Sequence, residues 1–210
     1  MRVVVTGGAG ALGRAMAERF AADHAEVHLT ALPGEVYEGP GRVHRVDLRD
    51  LAALRGLAAE LGAIDAVVAC AGGFAMQSLH ALDAAALDRQ IDLNLRTAAN
   101  TLAAFGDHLD GGAVVLIGAR TYTGAAGVAA YAASKAAVVS LGRSAALEWR
   151  GRVRVNTLLP DILDTNANRV AMPAADFRRW TSPEDVARVA RWLVSEDAGI
   201  VTGNAIEVGR

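Results

Sequence analysis

Tyr131 and Lys135 stand four residues apart in Tyr131-Ala132-Ala133-Ser134-Lys135, at the head of a stretch of helical period reaching about Trp149. That spacing puts a phenol and an ammonium on one helical face, where the cation favours phenolate and lowers the tyrosine pKa. A phenol so placed can exchange a proton with a carbonyl or alcohol oxygen while hydride moves at carbon. Such pairs are common in helices. This one follows a fifth strand candidate, on the sheet edge where open α/β folds bind their ligands.

A second cluster lies at the front of the chain. Thr6-Gly7-Gly8-Ala9-Gly10-Ala11-Leu12-Gly13 follows the first apolar run directly and opens a helix. Glycines at that junction let the backbone approach a pyrophosphate, whose charge is met by N–H groups at the helix start. Ala11 stands where a related fingerprint often has glycine, a tolerable change if the position needs small volume and no positive φ. The second strand, Glu26-Val27-His28-Leu29-Thr30-Ala31, ends without the acid that holds the adenosine ribose in many NAD-binding folds. Its absence removes repulsion against a 2'-phosphate, so NADP is expected ahead of NAD. Arg14 is the candidate to meet that phosphate, and it reads equally well as an exposed helix residue beside Glu18. Asp47, just after the third strand, reads either as an acceptor for the adenine amino group or as a helix cap.

These groups need a scaffold, and the hydropathy pattern supplies one. Short apolar runs alternate with stretches of helical period, the sequence form of a β-α-β-α chain with a mostly parallel sheet. The strand candidates are Val3–Val5, Val27–Leu29, Val43–Val46, Ala66–Ala69, Val114–Ile117, Val153–Leu158 and Ala205–Val208. Several lack polar alternation, as strands covered on both faces do. Leu12, Met16 and Phe20 form one helical stripe; Leu87, Ile91, Leu95, Ala98, Leu102 and Phe105 form another. Ser182-Pro183-Glu184-Asp185 is a helix start. The stretch from Pro160 to Thr181 is long for a bare connection, and a partly helical functional loop is expected there.

The chain has 210 residues, 21 Lys/Arg against 23 Asp/Glu, and one cysteine. A single domain over residues 1–210 is expected, with enough chain for a core without disulfides or metal. Balanced charge gives no footprint for nucleic acid or an anionic membrane. Cys70 excludes an internal disulfide and reads as a small core residue, and the five histidines show no zinc spacing. The apolar start ends in glycines after five positions, so no signal segment is read. A cytoplasmic protein acting on a small molecule is the expectation.

Taken together, TGGAGALG, Asp47, Cys70-Ala71-Gly72-Gly73, Asn94, Tyr131-x-x-x-Lys135, Val155-Asn156-Thr157-Leu158-Leu159-Pro160 and Ser182-Pro183-Glu184-Asp185 resemble the short-chain dehydrogenase/reductase family. The resemblance covers essentially the whole chain. It implies a Rossmann-like doubly wound sheet of about seven parallel strands with helices on both faces. It also implies Tyr131 as acid/base, Lys135 as ribose binder and Asn94 as holder of a lysine-linked water relay. Residues implied around NADP or NAD are Thr6, Gly7, Gly8, Gly10, Ala11, Leu12, Gly13, Arg14, Asp47, Leu48, Ala71, Gly72, Asn94, Tyr131, Lys135, Pro160 and Thr165. A homo-dimer or homo-tetramer is implied as well, helped by alanine-rich helices that permit close packing.

Three departures from the family pattern stand out. Gly118 and Ala119 occupy the place of a serine, Gly73 replaces a commoner asparagine, and Asp161 follows Pro160 where glycine is usual. Within the family, the segment from Leu159 to Arg169, with Met172–Phe177 and Trp180-Thr181, resembles the dihydropteridine reductase branch. That branch also lacks the serine, and it implies a quinonoid dihydropterin substrate, although its NADH-favouring acid is Ala31 here. A readily reduced quinonoid substrate could need less hydroxyl assistance; alternatively Thr121, Tyr122 or Thr123 replaces the missing donor. Phe74, Thr121, Tyr122 and Trp180 are the candidate substrate-side residues, with Met76, Met172 and Phe177 nearby in sequence. The rival reading is a dinucleotide-binding regulatory or structural protein with little turnover.

Overall fold

The computed structural model describes residues 1–209. Strands β1 (Arg2–Thr6), β2 (Glu26–Ala31), β3 (Arg42–Arg45), β4 (Ile64–Ala69), β5 (Leu109–Ile117), β6 (Arg154–Pro160) and β7 (Ala205–Val208) form one sheet in the order β3-β2-β1-β4-β5-β6-β7. All the pairings are parallel, and each apolar run named above coincides with a strand, with Val46 one residue past β3 and Val153 one residue before β6. The helices are α1 (Ala11–Ala22), α2 (Leu51–Leu61), α3 (Ala84–Gln90), α4 (Thr97–Phe105), α5 (Ala129–Glu148), α6 (Asn166–Ala171) and α7 (Pro183–Leu193).

The strands carry apolar side chains on both faces because both are covered. Val4, Val67, Val114 and Val155 pack with Leu54 of α2, Leu102 and Phe105 of α4, and Val138 of α5. Val3, Val5, Val68 and Val115 pack with Met16 and Phe20 of α1 and with Val186, Ala190 and Leu193 of α7. Strand order reverses between β1 and β4, which opens a crevice at their carboxyl ends.

One helical stripe is not as read. Leu87 is 38% exposed and Ile91 and Leu95 are half-buried, whereas Ala86, Gln90, Asn94, Thr97 and Thr101 face inward. The cause is a wider, π-type turn over Ile91–Arg96, which rotates the buried face between α3 and α4. Ala98, Leu102 and Phe105 beyond it are buried as expected.

Side-chain caps set the starts of α2, α3, α6 and α7. Ser182 accepts from the Asp185 N–H at 3.0 Å with Pro183 in the first turn, as the sequence suggested. Asp50, not Asp47, caps α2, accepting from the Ala53 N–H at 3.0 Å. Between β6 and α7 the chain forms α6 and a short turn at Phe177–Arg179, a partly helical loop. Among the described residues no helix is long and apolar enough to cross a membrane.

Candidate active site

The glycine turn is held from three sides. Gly7 has φ +68°, and a Cβ there would stand 2.8 Å from the Ala71 backbone. A Cβ on Gly13 would stand 2.2 Å from the Gly7 carbonyl oxygen, so α1 can begin this close only without one. The Gly7 N–H donates to Thr30 Oγ1 at 3.3 Å and the Gly8 N–H to the Thr30 carbonyl at 2.9 Å. Thr6 Oγ1 accepts from the Ala71 N–H at 3.3 Å, bringing the end of β4 alongside. No side chain caps α1 at Gly10, so its first-turn N–H groups keep their partial positive charge for a ligand. Thr6, Gly7, Gly8, Gly10, Ala11, Leu12, Gly13, Ala71 and Gly72 therefore gather around a cradle that added Cβ atoms would obstruct, and it fits a dinucleotide pyrophosphate.

Just past β2 the structure supplies a carboxylate that the strand itself lacks. Leu32-Pro33-Gly34-Glu35 is a tight turn, with Gly34 at φ +88° and the Glu35 N–H donating to the Leu32 carbonyl at 3.2 Å. It swings the Glu35 carboxylate back onto the Leu32 N–H at 2.7 Å, just past β2. Arg45 braces the turn, donating to the Glu35 carbonyl at 2.6 Å. The Pro-Gly pair was the signal that residue 35 returns to residue 32. Arg14 lies with its guanidinium 5.9 Å from the Tyr37 ring centroid.

Asp47 is gripped by Arg49 at 2.6 Å, which holds its carboxyl below the usual range. Leu48 is buried, and its carbonyl accepts from Asn100 Nδ2 at 2.9 Å. Asn100 thus anchors the segment after β3, a role no local pattern announces.

Tyr131 sits in the first turn of α5, with Lys135 one turn on and only 5% exposed. Lys135 Nζ donates to the Ile117 carbonyl at 2.8 Å and lies 5.9 Å from the Tyr131 ring centroid. Burial pushes the Tyr131 phenol up to about 12 and the Lys135 ammonium down to about 8. Desolvation thus outweighs, across that gap, the phenolate-favouring effect expected from the spacing. Burial also pushes the Cys70 thiol up to about 12, which leaves little thiolate.

Asn94 rides on the π-type turn. Its Oδ1 accepts from the Gly73 N–H at 3.1 Å, and its Nδ2 donates to the Gly73 carbonyl at 3.0 Å and to Ser134 Oγ at 3.1 Å. Ser134 Oγ donates in turn to the Tyr131 carbonyl at 2.7 Å. A Cβ on Gly72 would stand 2.7 Å from Asn94 Oδ1 and 3.3 Å from Lys135 Nζ, which shows how tightly the three meet. Ser134 was not singled out from the sequence; a hydroxyl on the buried side of α5 beside Lys135 was its only signal.

Of the residues expected on the substrate side, Phe74 meets the Tyr131 ring edge-on at 4.9 Å and 81° while remaining 61% exposed. Thr121 and Tyr122 lie on the short turn Arg120–Thr123, which packs against α5. Pro160 closes β6. Thr165 caps α6, its hydroxyl accepting from the Asn168 N–H at 3.2 Å. Trp180 is buried, with its ring centroid 4.7 Å from that of Phe177, so the two rings pack together within the loop. Asp161 receives Arg120 Nη1 at 2.8 Å.

A glycine cradle at the switch point of a doubly wound sheet, with a half-buried tyrosine and a buried lysine and asparagine beside it, defines a class: the nicotinamide-nucleotide-dependent oxidoreductases. The chain belongs to the short-chain dehydrogenase/reductase family; a family model described as enoyl-(acyl carrier protein) reductase matches residues 7–209. A solved short-chain dehydrogenase/reductase family protein superposes with TM-score 0.89 at 30% identity, covering 99% of this chain and 95% of that one. The human (3R)-3-hydroxyacyl-CoA dehydrogenase is 30% identical over 98% of this chain and 92% of its own length. A cyclic-di-GMP-binding biofilm dispersal mediator protein of Escherichia coli (strain K12) is 29% identical over 96% of this chain and 92% of its own. Family and fold together make this chain an NAD(P)-dependent oxidoreductase.

Proposed function

We propose that the chain reduces a small carbonyl or quinonoid substrate, with Tyr131 as proton donor. The observation that carries this reading is the half-buried Tyr131 beside the buried Lys135, tied through Ser134 to Asn94, next to the glycine cradle. Bound NAD(P)H would supply the hydride. The turn from Thr6 to Gly13, together with Arg14, Ala71 and Gly72, would hold its phosphates. Asp47 and Leu48 would face the adenine, Lys135 and Asn94 the nicotinamide ribose, and Pro160 and Thr165 the nicotinamide flank. A phenol pushed up to about 12 stays protonated at neutral pH, which suits donation to a substrate that gains hydride.

The finer substrate reading is a quinonoid dihydropterin. The resemblance of the segment from Leu159 to Thr181 supports it, and so does the open ring of Phe74 beside Tyr131, which offers a planar ligand an aromatic contact. The test is a paired NADH and NADPH turnover screen against quinonoid dihydropterin, quinones and activated ketones. Turnover confined to ketones would remove the pterin reading. Cofactor binding without turnover on any acceptor would favour the regulatory alternative.

Cofactor choice turns on Glu35. The expectation of NADPH rested on the bare end of β2, but the carboxylate seated on the Leu32 N–H would repel a 2'-phosphate and accept from ribose hydroxyls. The reading offered here is therefore an NADH advantage. Calorimetry should show Glu35→Gln narrowing it by roughly tenfold, about 1.4 kcal/mol. An NADPH advantage in the unmodified chain would restore the first expectation.

A homo-dimer or homo-tetramer through the outer faces of α4 and α5 completes the reading. Leu147 on α5 is 63% exposed and Leu95 half-buried, which leaves apolar surface for a two-fold contact. Sedimentation at micromolar concentration should show the assembly; a monomer would refute it.

A further inference from the structure

Among the described residues twelve large apolar side chains are exposed, and five of them stand on segments that leave the carboxyl edge of the sheet. Phe74, Met76 and Leu79, each at least 61% exposed, follow β4; Ile162 and Val170, also exposed, follow β6. Since β4 and β6 flank β5, the two groups rise on either side of the turn Arg120–Thr123, which packs against α5. Their neighbours in sequence are uncharged: residues 72–82 and 170–175 contain no Asp, Glu, Lys or Arg. Exposed apolar side chains gathered without charges among them mark a surface that receives an apolar ligand.

The group after β4 is held in place. The Gln77 N–H donates to the Gly127 carbonyl at 2.8 Å, a parallel bridge pairs Gln77 with Val128, and Gln77 Nε2 donates to the Ala81 carbonyl at 2.5 Å. The segment thus runs along the residues that lead into α5. Phe74 meets the Tyr131 ring at 4.9 Å, and a Cβ on Gly127 would stand 3.6 Å from Met76 Cε. Both side chains therefore face the start of α5, at positions four residues apart. Leu79 follows on the turn Leu79–Ala81. The apolar surface begins at the ring of the proposed proton donor and extends toward the exposed residues 123–126.

We infer that the acceptor reduced at Tyr131 carries an extended apolar substituent, an alkyl chain or its like, which lies along Phe74, Met76 and Leu79 with Ile162 and Val170 on the β6 side. The inference rests on the reading of the chain as a reductase, and it applies to a ketone, quinone or pterin alike. Continuity with Tyr131 decides the occupant. A chain attached to the reacting centre reaches this surface in the same binding event, whereas a protein partner seated there would cover the ring beside the proton donor. Met76, unbranched and flexible, can follow the shape of such a chain.

The test measures kcat and KM along two homologous series: ethyl esters of straight-chain 2-oxo acids from pyruvate to 2-oxodecanoate, and alkyl-1,4-benzoquinones from methyl to decyl. A fully buried methylene is worth about fourfold in binding and this surface is part open, so kcat/KM should rise by about two- to fourfold per methylene. The rise should lie in KM, with kcat level, because the contact is the same in ground and transition states. Replacing Met76→Ser together with Leu79→Ser should at least halve the logarithmic slope, with folding checked by circular dichroism. Ile200→Ser, which removes a 97% exposed apolar side chain from the loop entering β7 at the opposite edge of the sheet, should leave it unchanged. A wild-type slope of zero overturns the inference, as does an unchanged slope in the double variant. Dissociation of that variant in sedimentation with its slope intact would give the surface to a second copy of the chain. Turnover of quinonoid dihydropterin with none in either series overturns this inference alone. A chain that transfers hydride to no acceptor overturns the reductase reading, and this inference with it.

Discussion

Burial acts in opposite directions on the two ends of the Tyr131–Lys135 pair, and this sets the expected pH behaviour. Lys135, pushed down to about 8, is charged below that pH and neutral above it. If its charge holds the cofactor ribose and favours phenolate, kcat/KM for reduction should hold at neutral pH and fall as pH rises through about 8. A profile flat to pH 10 would show that the ammonium is not needed. Tyr131, Lys135 and Asn94 were legible because their types and order form a recognisable motif. Ser134 and Asn100 were not, because each acts through a tertiary partner, and Glu35 was not because it lies beyond the strand end and returns to Leu32 only through a local turn. Ser134 meets Asn94 from 40 residues away, and Asn100 reaches Leu48 across 52. Thr165 and Trp180 were legible as residues of the functional loop, yet the hydroxyl of one is engaged in a helix cap and the ring of the other in packing.

The glycine turn is an element-scale device, since Gly13 lets α1 begin against the turn that precedes it. A Cβ there would stand 2.2 Å from the Gly7 carbonyl oxygen, so Gly13→Val must displace the turn. Calorimetry should show NAD(P)H affinity falling at least tenfold in Gly13→Val protein whose circular dichroism remains native; unchanged affinity would remove the turn from the cofactor site. The strands were easy to read because both faces of the sheet are covered, which turns each into a short apolar run. The stripe through Leu87, Ile91 and Leu95 misled for an equally physical reason. A period of 3.6 assumes an unbroken α-helix, whereas the π-type turn over Ile91–Arg96 rotates the pattern and brings Asn94 inward. Polar Gln90, Thr97 and Thr101 then occupy buried places, where Gln90 accepts from Asn94 and the two threonine hydroxyls donate to carbonyls one turn back, at Leu93 and Thr97.

At the scale of the whole molecule, the β2–β3 edge is a point of acid sensitivity. His28 Nδ1 lies 3.0 Å from His44 Nε2, and His28 Nε2 lies 3.0 Å from the Glu26 carboxylate. Burial first, then the His28 and Arg42 charges, hold His44 below its ordinary value of 6.5. The folded state therefore binds fewer protons than the unfolded chain near and below that value. Its stability is full above about pH 6.5 and declines as pH falls through it. Thermal melts should show Tm level above that pH and dropping below it, with a shallower drop in His44→Gln; identical slopes would clear the pair.

Hydride reduction in this fold is assigned to Tyr131 as its proton donor. Single-turnover hydride transfer in Tyr131→Phe, followed by cofactor absorbance at saturating substrate, tests it most directly. A positioned acid is worth about 10²–10⁴-fold, so the rate should fall by that factor while cofactor Kd stays near wild type. A near-wild-type rate in folded Tyr131→Phe protein would remove Tyr131 as the proton donor.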